Sequence, residues 1–447
     1  MAISRLEFTK GLTMKVKVLL VLLIVFLLVP FALAQDEPVT ITAWGHNHLP
    51  RVELDQEMIA AFMEANPHIT VEYEPVPSDY YAVLNTALAS GAGPTAFNQF
   101  TPFSAQFFLQ GILDPVDPAG WGLESVDDIK ALYGSGDMAE GMLAGATYDG
   151  TLYGIPTEMS AYACYVNLDS WADAGLDPAE DWPYTYEGMV EVAEKLTIRD
   201  ENGVITRRGF DFNWSASIYM MLHFVPMVQQ LGGEMIDEVN YVADINTPEV
   251  KRVLEYWNNW ANEWNLGGPE YVVSRTGFRG EERMATECTM GNWAVPGLEA
   301  EDSFAPNYAI YPQLRFADAV NPNGFANYGF YWMVNANASE AEQAAAWKLI
   351  AWLSSRPDRY LNEAGLFQPK AAYLESEDFM NNEIMPVFLD EIASSYFHPR
   401  FAGFNEVIDA IMRMRDRVVI AGEDIDTVLA ETDEEVNAIL QRVKTEF

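Results

Sequence analysis

Val39-Thr40-Ile41-Thr42-Ala43-Trp44 opens the stretch whose reading decides the fold. Its apolar and polar side chains alternate at period two, the pattern of a β-strand. Leu54, Met58, Ala61 and Phe62 then fall at i, i+4, i+7 and i+8, which predicts a helix over 52–65. Asn66-Pro67 stops it, because the residue before a proline is pushed out of the helical region. Ile69, Val71 and Tyr73 alternate with Thr70, Glu72 and Glu74 as a second strand. Residues 80–89 form a second helix, ended by Gly91-Ala92-Gly93-Pro94. Strand, helix, strand and helix with short links are the signature of a parallel α/β sheet.

Further along, Tyr162-Ala163-Cys164-Tyr165-Val166 is strand-like, and residues 186–196 are amphipathic. Asp200-Glu201-Asn202-Gly203 resembles a fragment of a calcium loop but lacks the distal Glu, so it is read as a hairpin turn. Residues 248–260 form another helix, with Pro248 at a tolerated first-turn position. Trp257, Trp260 and Trp264 recur at helical spacing and are read as packing. Ser339 and Glu342 make a capping box ahead of a face formed by Ala346, Leu349, Ile350 and Leu353. The acidic C-terminal third is helical and ends in a helix over 433–444. With no repeat and no long linker, two α/β lobes joined by more than one crossover fit this order.

The chain has 447 residues, of which 49% are hydrophobic, enough for two or three domains with real cores. Its 26 basic residues face 66 acids, a net charge of −40. Such a surface repels phosphate backbones, so no nucleic-acid partner is expected. At the N-terminus, Lys15 and Lys17 precede the apolar run Val18–Ala34, which closes on Ala32-Leu33-Ala34. This is the form of a cleavable secretory signal over residues 1–34, leading to a periplasmic or extracytoplasmic site. That segment holds Arg5, Lys10, Lys15 and Lys17 against Glu7, so its removal takes the charge from −40 to −43. Gln35 follows where a lipoprotein would carry Cys, so no lipid anchor is expected. Cys164 and Cys288 would reach an oxidising compartment as a pair. They are read first as small buried hydrophobes, with a disulfide as the alternative.

Motifs of reactive chemistry are few in the sequence. The chain lacks a P-loop, a G-x-S-x-G elbow and an H-E-x-x-H helix. Gly91-Ala92-Gly93 imitates a dinucleotide fingerprint, but it follows a helix and contains Pro94. His46-Asn47-His48 lies between a strand and a helix and is read as a cleft-lining loop rather than a metal site. Neither a metal nor a cofactor is expected. Paired carboxylates for glycoside hydrolysis stay open, since their separation is not written in sequence.

Several stretches, in one order, resemble the bacterial family 1 extracellular solute-binding proteins, the maltose-binding-protein-like components of ABC importers. Phe62-Met63-Glu64-Ala65-Asn66-Pro67-His68-Ile69-Thr70-Val71 is similar to that family's F-x-x-x-x-P-x-I-x-V passage. Ala87-Leu88-Ala89-Ser90-Gly91-Ala92-Gly93-Pro94 resembles ALASGxGPD, with Thr95 where Asp is usual. Gly111-Ile112-Leu113-Asp114-Pro115-Val116-Asp117 is similar to GxLxPLD. Tyr148-Asp149-Gly150-Thr151-Leu152-Tyr153-Gly154-Ile155-Pro156 is similar to DGKLYGLP. Tyr165-Val166-Asn167, Ala174-Gly175-Leu176, the passage from Cys288 to Trp293, and Gly365-Leu366-Phe367-Gln368-Pro369 complete the series.

The resemblance implies a periplasmic-binding-protein-like α/β fold: two lobes, a multi-segment hinge, and an interlobe ligand cleft. Mapped crossovers at 158–162, 311–315 and 366–369 give lobe 1 as 35–158 plus 313–365, and lobe 2 as 159–312 plus 366–447. The implied function is capture of a carbohydrate, an oligosaccharide, for delivery to the membrane subunits of an ABC importer by a monomer without enzymatic activity. A polyamine or other non-sugar solute, or a secreted glycoside hydrolase, are the alternatives. A neutral sugar needs flat rings and matched polar groups. Trp44, His46 and Asn47 stand at or beyond the end of the first strand, where open α/β folds bind ligands. Gln99 and Thr101 follow the 95–98 strand in a similar position. The resemblance adds Glu158 and Ser160 in the crossover and Trp293 as a stacking ring. Trp214, Tyr328 and Phe367 complete the candidates.

Overall fold

The alternation read in residues 39–44 builds β1 (Val39–His46), with Ile41 and Ala43 fully buried and Thr40 exposed. A computed structural model of the chain describes residues 37–76, 80–135, 137–271, 275, 277–278, 283–300, 307–321, 326–397 and 400–446. Residues 1–34, the expected signal, and His398 lie outside the described residues. α1 (Leu49–Ala65) starts earlier than its apolar face, because Pro50 is tolerated in the first turn. It buries Leu54, Met58 and Phe62, and also Arg51 and Asp55. β2 (Ile69–Val76) pairs parallel to β1, Ile41 against Val71. After α2 (Tyr80–Ala89), β3 (Ala96–Phe100) pairs parallel on the other side of β1.

The chain continues through β4 (Gly154–Ser160) and β5 (Ala163–Asn167). α3 (Tyr186–Leu196) is capped by Thr185, and the expected hairpin joins β6 (Ile198–Arg199) to β7 (Ile205–Phe210). α4 (Pro248–Asn258) is followed by β8 (Met284–Met290), β9 (Tyr308–Tyr311) and β10 (Ala326–Val334). α5 (Glu340–Leu353) carries both bonds of the Ser339–Glu342 capping box. β11 (Tyr396–Phe397), α6 (Phe404–Val419) and α7 (Ile425–Glu446) close the described chain.

Two sheets result. The first runs β11-β10-β3-β1-β2, with β4 also on β10, and β10 lies antiparallel to both β3 and β4. The second runs β9-β5-β8-β7-β6. Phe62, Leu84, Phe97, Trp332 and Trp347 pack in the core beside the first sheet. Trp171, Leu254, Trp257 and Trp260 fill that of the second, joined by Val407, Ile411, Leu429 and Val436 from α6 and α7. The recurring tryptophans of α4 and the turn after it are thus packing residues. Leu314 and Phe316 also lie in the second core, whereas β11 belongs to the first sheet.

The reading of the cysteines as thiols is corrected: Cys164 and Cys288 form a disulfide. Antiparallel pairing of β5 with β8 sets Tyr165 against Glu287 and Ala163 against Met290. This brings two sulfurs 124 residues apart in sequence into contact.

The chain passes from the first sheet to the second across Ala161-Tyr162. Two other segments are stitched beside that passage. Met159 N–H donates to Phe367 O at 2.9 Å. Ser160 Oγ donates to Asn292 Oδ1 at 2.6 Å, and Asn292 Nδ2 donates to Gly365 O at 2.6 Å. Gly365 has φ 66°, and a Cβ there would stand 2.8 Å from Asn292 O, so only glycine lets the segments approach this closely.

Candidate functional site

Where β1 and β3 end and β4 crosses over, a cavity of about 540 Å³ opens. Strand ends at such a crossover are where α/β folds gather ligand groups. Its wall holds five of the sequence candidates: His46, Asn47, Glu158, Trp293 and Tyr328. Tyr81, Phe100, Phe103, Tyr162 and Phe330 add five more rings. Phe100 contacts Phe330 at 4.8 Å and Tyr328 at 5.4 Å between ring centroids. Tyr81 contacts Phe103 at 4.7 Å, and Tyr162 contacts Tyr328 at 5.2 Å. The imidazole of His46 stacks on Phe330 at 4.1 Å. These rings touch one another, so they form a continuous wall rather than a hollow cage.

A buried polar layer supports the wall. Arg51 Nη1 donates to Asn98 Oδ1 at 3.0 Å, Nη2 donates to the His46 carbonyl, and Nε lies 3.5 Å from Asp55. Burial first, then the neighbouring Arg51 guanidinium, push the His46 pKa well below its ordinary value. A neutral ring results, with an apolar face for Phe330. Tyr328 donates to Glu158 Oε1 at 3.2 Å. Burial pushes the Glu158 carboxyl up to about 7, against the opposing pull of Arg51 and the Tyr328 hydroxyl.

An acid that holds its proton more tightly folded than unfolded makes stability fall as pH rises between the two values. For Glu158 that window runs from the ordinary 4.5 to about 7. Glu158→Gln should therefore flatten the fall in unfolding free energy between pH 5 and pH 7.5. Parallel urea titrations across that range check this, and an unchanged slope would refute it.

Six sequence candidates lie elsewhere. Trp44 packs, half-buried, against the first core, and its carbonyl accepts the Tyr80 hydroxyl at 3.1 Å. Gln99 is buried and donates to Phe103 O at 2.9 Å. Thr101 bonds the backbone of Gly329, and Ser160 is occupied with Asn292 and Ala161 O. Phe367 is buried against Phe379. Trp214 turns into the second core, its Nε1 donating to Asp211 Oδ1 at 2.7 Å. The same carboxylate receives Arg208 at 2.6 Å, Phe212 N–H at 2.8 Å and Gly268 N–H at 3.0 Å. That anchor fixes the base of the loop whose Ser215, Ala216, Ser217 and Ile218 do line the cavity.

His48 lines the cavity with the rest of its loop, whereas residues the sequence reading passed over include Tyr81, Phe100, Phe103, Tyr162, Phe330 and Arg275. Phe330 follows Tyr328 at period two on one strand, a signal that could have found it. Arg275 carries no such mark. Its guanidinium lies 5.0 Å from the Tyr219 ring centroid and 5.5 Å from that of Trp293. Among the described residues, no group of three or more His, Cys, Asp or Glu could hold a metal ion, and no helix is long and apolar enough to cross a membrane.

A binding protein of Brucella abortus is 22% identical over 397 residues, covering 87% of this chain and 90% of its own. The maltotriose-binding protein of Pyrococcus abyssi is 20% identical over 399 residues, covering 88% of this chain and 80% of its own. Among solved structures, the maltose/maltodextrin-binding domain MalE from Bdellovibrio bacteriovorus, bound to maltotriose, superposes with a TM-score of 0.74 at 20% identity. It covers 90% of this chain and 100% of its own, so the two-lobe fold is shared. Residues 57–368 match the profile of the bacterial extracellular solute-binding proteins. With that match spanning more than half of its length, the chain belongs to the bacterial extracellular solute-binding protein family.

Proposed function

We propose that this protein captures a carbohydrate, an oligosaccharide, between its two lobes outside the cytoplasm and delivers it to the membrane subunits of an ABC importer. The observation that carries this reading is the continuous aromatic wall at the interlobe cavity, with polar groups set into it. Ring faces pack on the C–H faces of a sugar, while buried polar groups sort its hydroxyls. The maltotriose binders among the relatives support the same ligand class. Closure of the lobes is then a shift between open and closed states, driven by contacts made only in the closed one.

The alternatives receive less support. A polyamine would need several carboxylates, and the described lining has Glu158 alone, beside a guanidinium. Glycoside hydrolysis uses a pair of carboxylates, so the same single acid supports binding without turnover. We also infer a monomer and a cleavable signal over 1–34 without a lipid anchor.

A thermal-shift screen of oligosaccharides tests the reading. A cognate sugar at 100 times its dissociation constant should stabilise the protein by about 2.7 kcal/mol. Polyamines or peptides shifting it instead would refute the carbohydrate reading. Trp293→Ala should weaken sugar binding by at least about 1 kcal/mol by calorimetry. Unchanged affinity would make Trp293 a packing residue.

A further inference from the structure

Arg275 is an unusual residue to find in this cleft. The chain has 26 basic residues against 66 acids, yet the one guanidinium on the described cavity wall faces a ligand-sized space. Two rings hold its plane, Tyr219 at 5.0 Å and Trp293 at 5.5 Å. Its Nε is buried and makes no hydrogen bond, while the guanidinium also interacts with the Tyr219 hydroxyl. The neighbouring acid is Glu287, whose Oε1 is already taken by the N–H and hydroxyl of Thr289. Glu287 Oε2 makes no hydrogen bond, so the two charges sense each other without pairing. The phenols of Tyr162, Tyr219 and Tyr328 surround the group with neutral dipoles.

A buried guanidinium N–H without an acceptor, as at Arg275 Nε, is costly unless a ligand completes it. Its planar fork matches two oxygens of one anionic group. Resting on the carbohydrate reading above, we infer that the cleft selects an acidic sugar, with a carboxylate or phosphate of the ligand seated on Arg275. The aromatic wall then packs the sugar faces, and Glu158 stands near Tyr328 and Arg51 to meet hydroxyls. Diffuse surface acidity opposes an anion at long range, but it is screened beyond about 10 Å at 0.1 M salt. Direct contact inside the cleft is not.

The test compares ligands that differ only in charge. Galacturonate, glucuronate and mannuronate trisaccharides are titrated calorimetrically beside their methyl esters, glucose phosphates beside glucose, and maltotriose as a neutral standard. The charged member of a pair should bind about tenfold tighter or more than its neutral counterpart. A uronate preference identifies a carboxylate on Arg275, and a sugar phosphate preference identifies a phosphate. Arg275→Gln should bring the charged and neutral members of the pair to the same affinity, while Arg275→Lys keeps part of the difference by charge without the fork. Neutral sugars binding as tightly as acidic ones to the unaltered protein would overturn this inference and leave carbohydrate capture standing. Failure of every sugar, charged and neutral, would overturn both. A preference that survives Arg275→Gln would place the anion elsewhere and overturn the assignment.

Discussion

Arg51→Met should lower the unfolding free energy by about 3–5 kcal/mol, as expected when one partner of a buried ion pair is removed. Arg51 and Asp55 are both fully buried, one helical turn apart in α1. The guanidinium also donates to Asn98 and to the His46 carbonyl. Methionine keeps the stem volume and leaves those acceptors without their donor. Asp55 retains the hydroxyls of Tyr73 at 3.0 Å and Tyr360 at 2.6 Å, which partly offset the loss. Arg51→Met combined with Asp55→Leu should recover only part of the loss, because it removes the stranded charge but leaves Asn98, the His46 carbonyl and the Tyr73 and Tyr360 hydroxyls short of partners. Urea unfolding of the single and double variants checks both statements. A single-variant loss below about 1 kcal/mol would mean that water reaches the pair. Sugar affinity should fall in the double variant even where stability partly returns, since the His46 loop has lost its anchor.

Removing the disulfide should cost about 2–5 kcal/mol, the range for loss of a native cross-link. Cys164 and Cys288 close a loop 124 residues apart in sequence, and that loop holds α3, β7, α4 and most of the second core. Freed in the unfolded chain, it regains entropy that the bond had removed. Unfolding of the Cys164→Ala/Cys288→Ala variant, or of reduced protein, should show the second lobe destabilised and the first lobe unchanged. Equal stability with and without the bond would show that the unfolded chain is already compact there. A protein secreted through the expected signal would form this bond after export.

The fold was legible where local pattern and tertiary demand agreed. Residues 80–89 and 186–196 are helices with the boundaries that periodicity predicts, and Ser339 caps α5 as its spacing requires. The cysteine pairing was not legible, because it depends on the register between β5 and β8. At the site, nearness to a strand end was readable but side-chain direction was not. Gln99 and Thr101 flank Phe100, and successive residues leaving a strand face opposite ways, so the ring between them lines the cavity while both neighbours are buried. Trp214 was drawn inward by the Asp211 carboxylate, which leaves the following four residues to face the cleft. Arg275 sits in no periodic pattern, and only the three-dimensional packing brings it beside Trp293.

Asn292 and Trp293 are consecutive, yet one clasps Ser160 and Gly365 while the other offers its indole to the cavity. Fulcrum and load therefore stand a single peptide link apart. On the carbohydrate reading, a guest that presses on the indole would work against the shortest lever the backbone allows, so occupancy and pivot would be geared together without any relay between them.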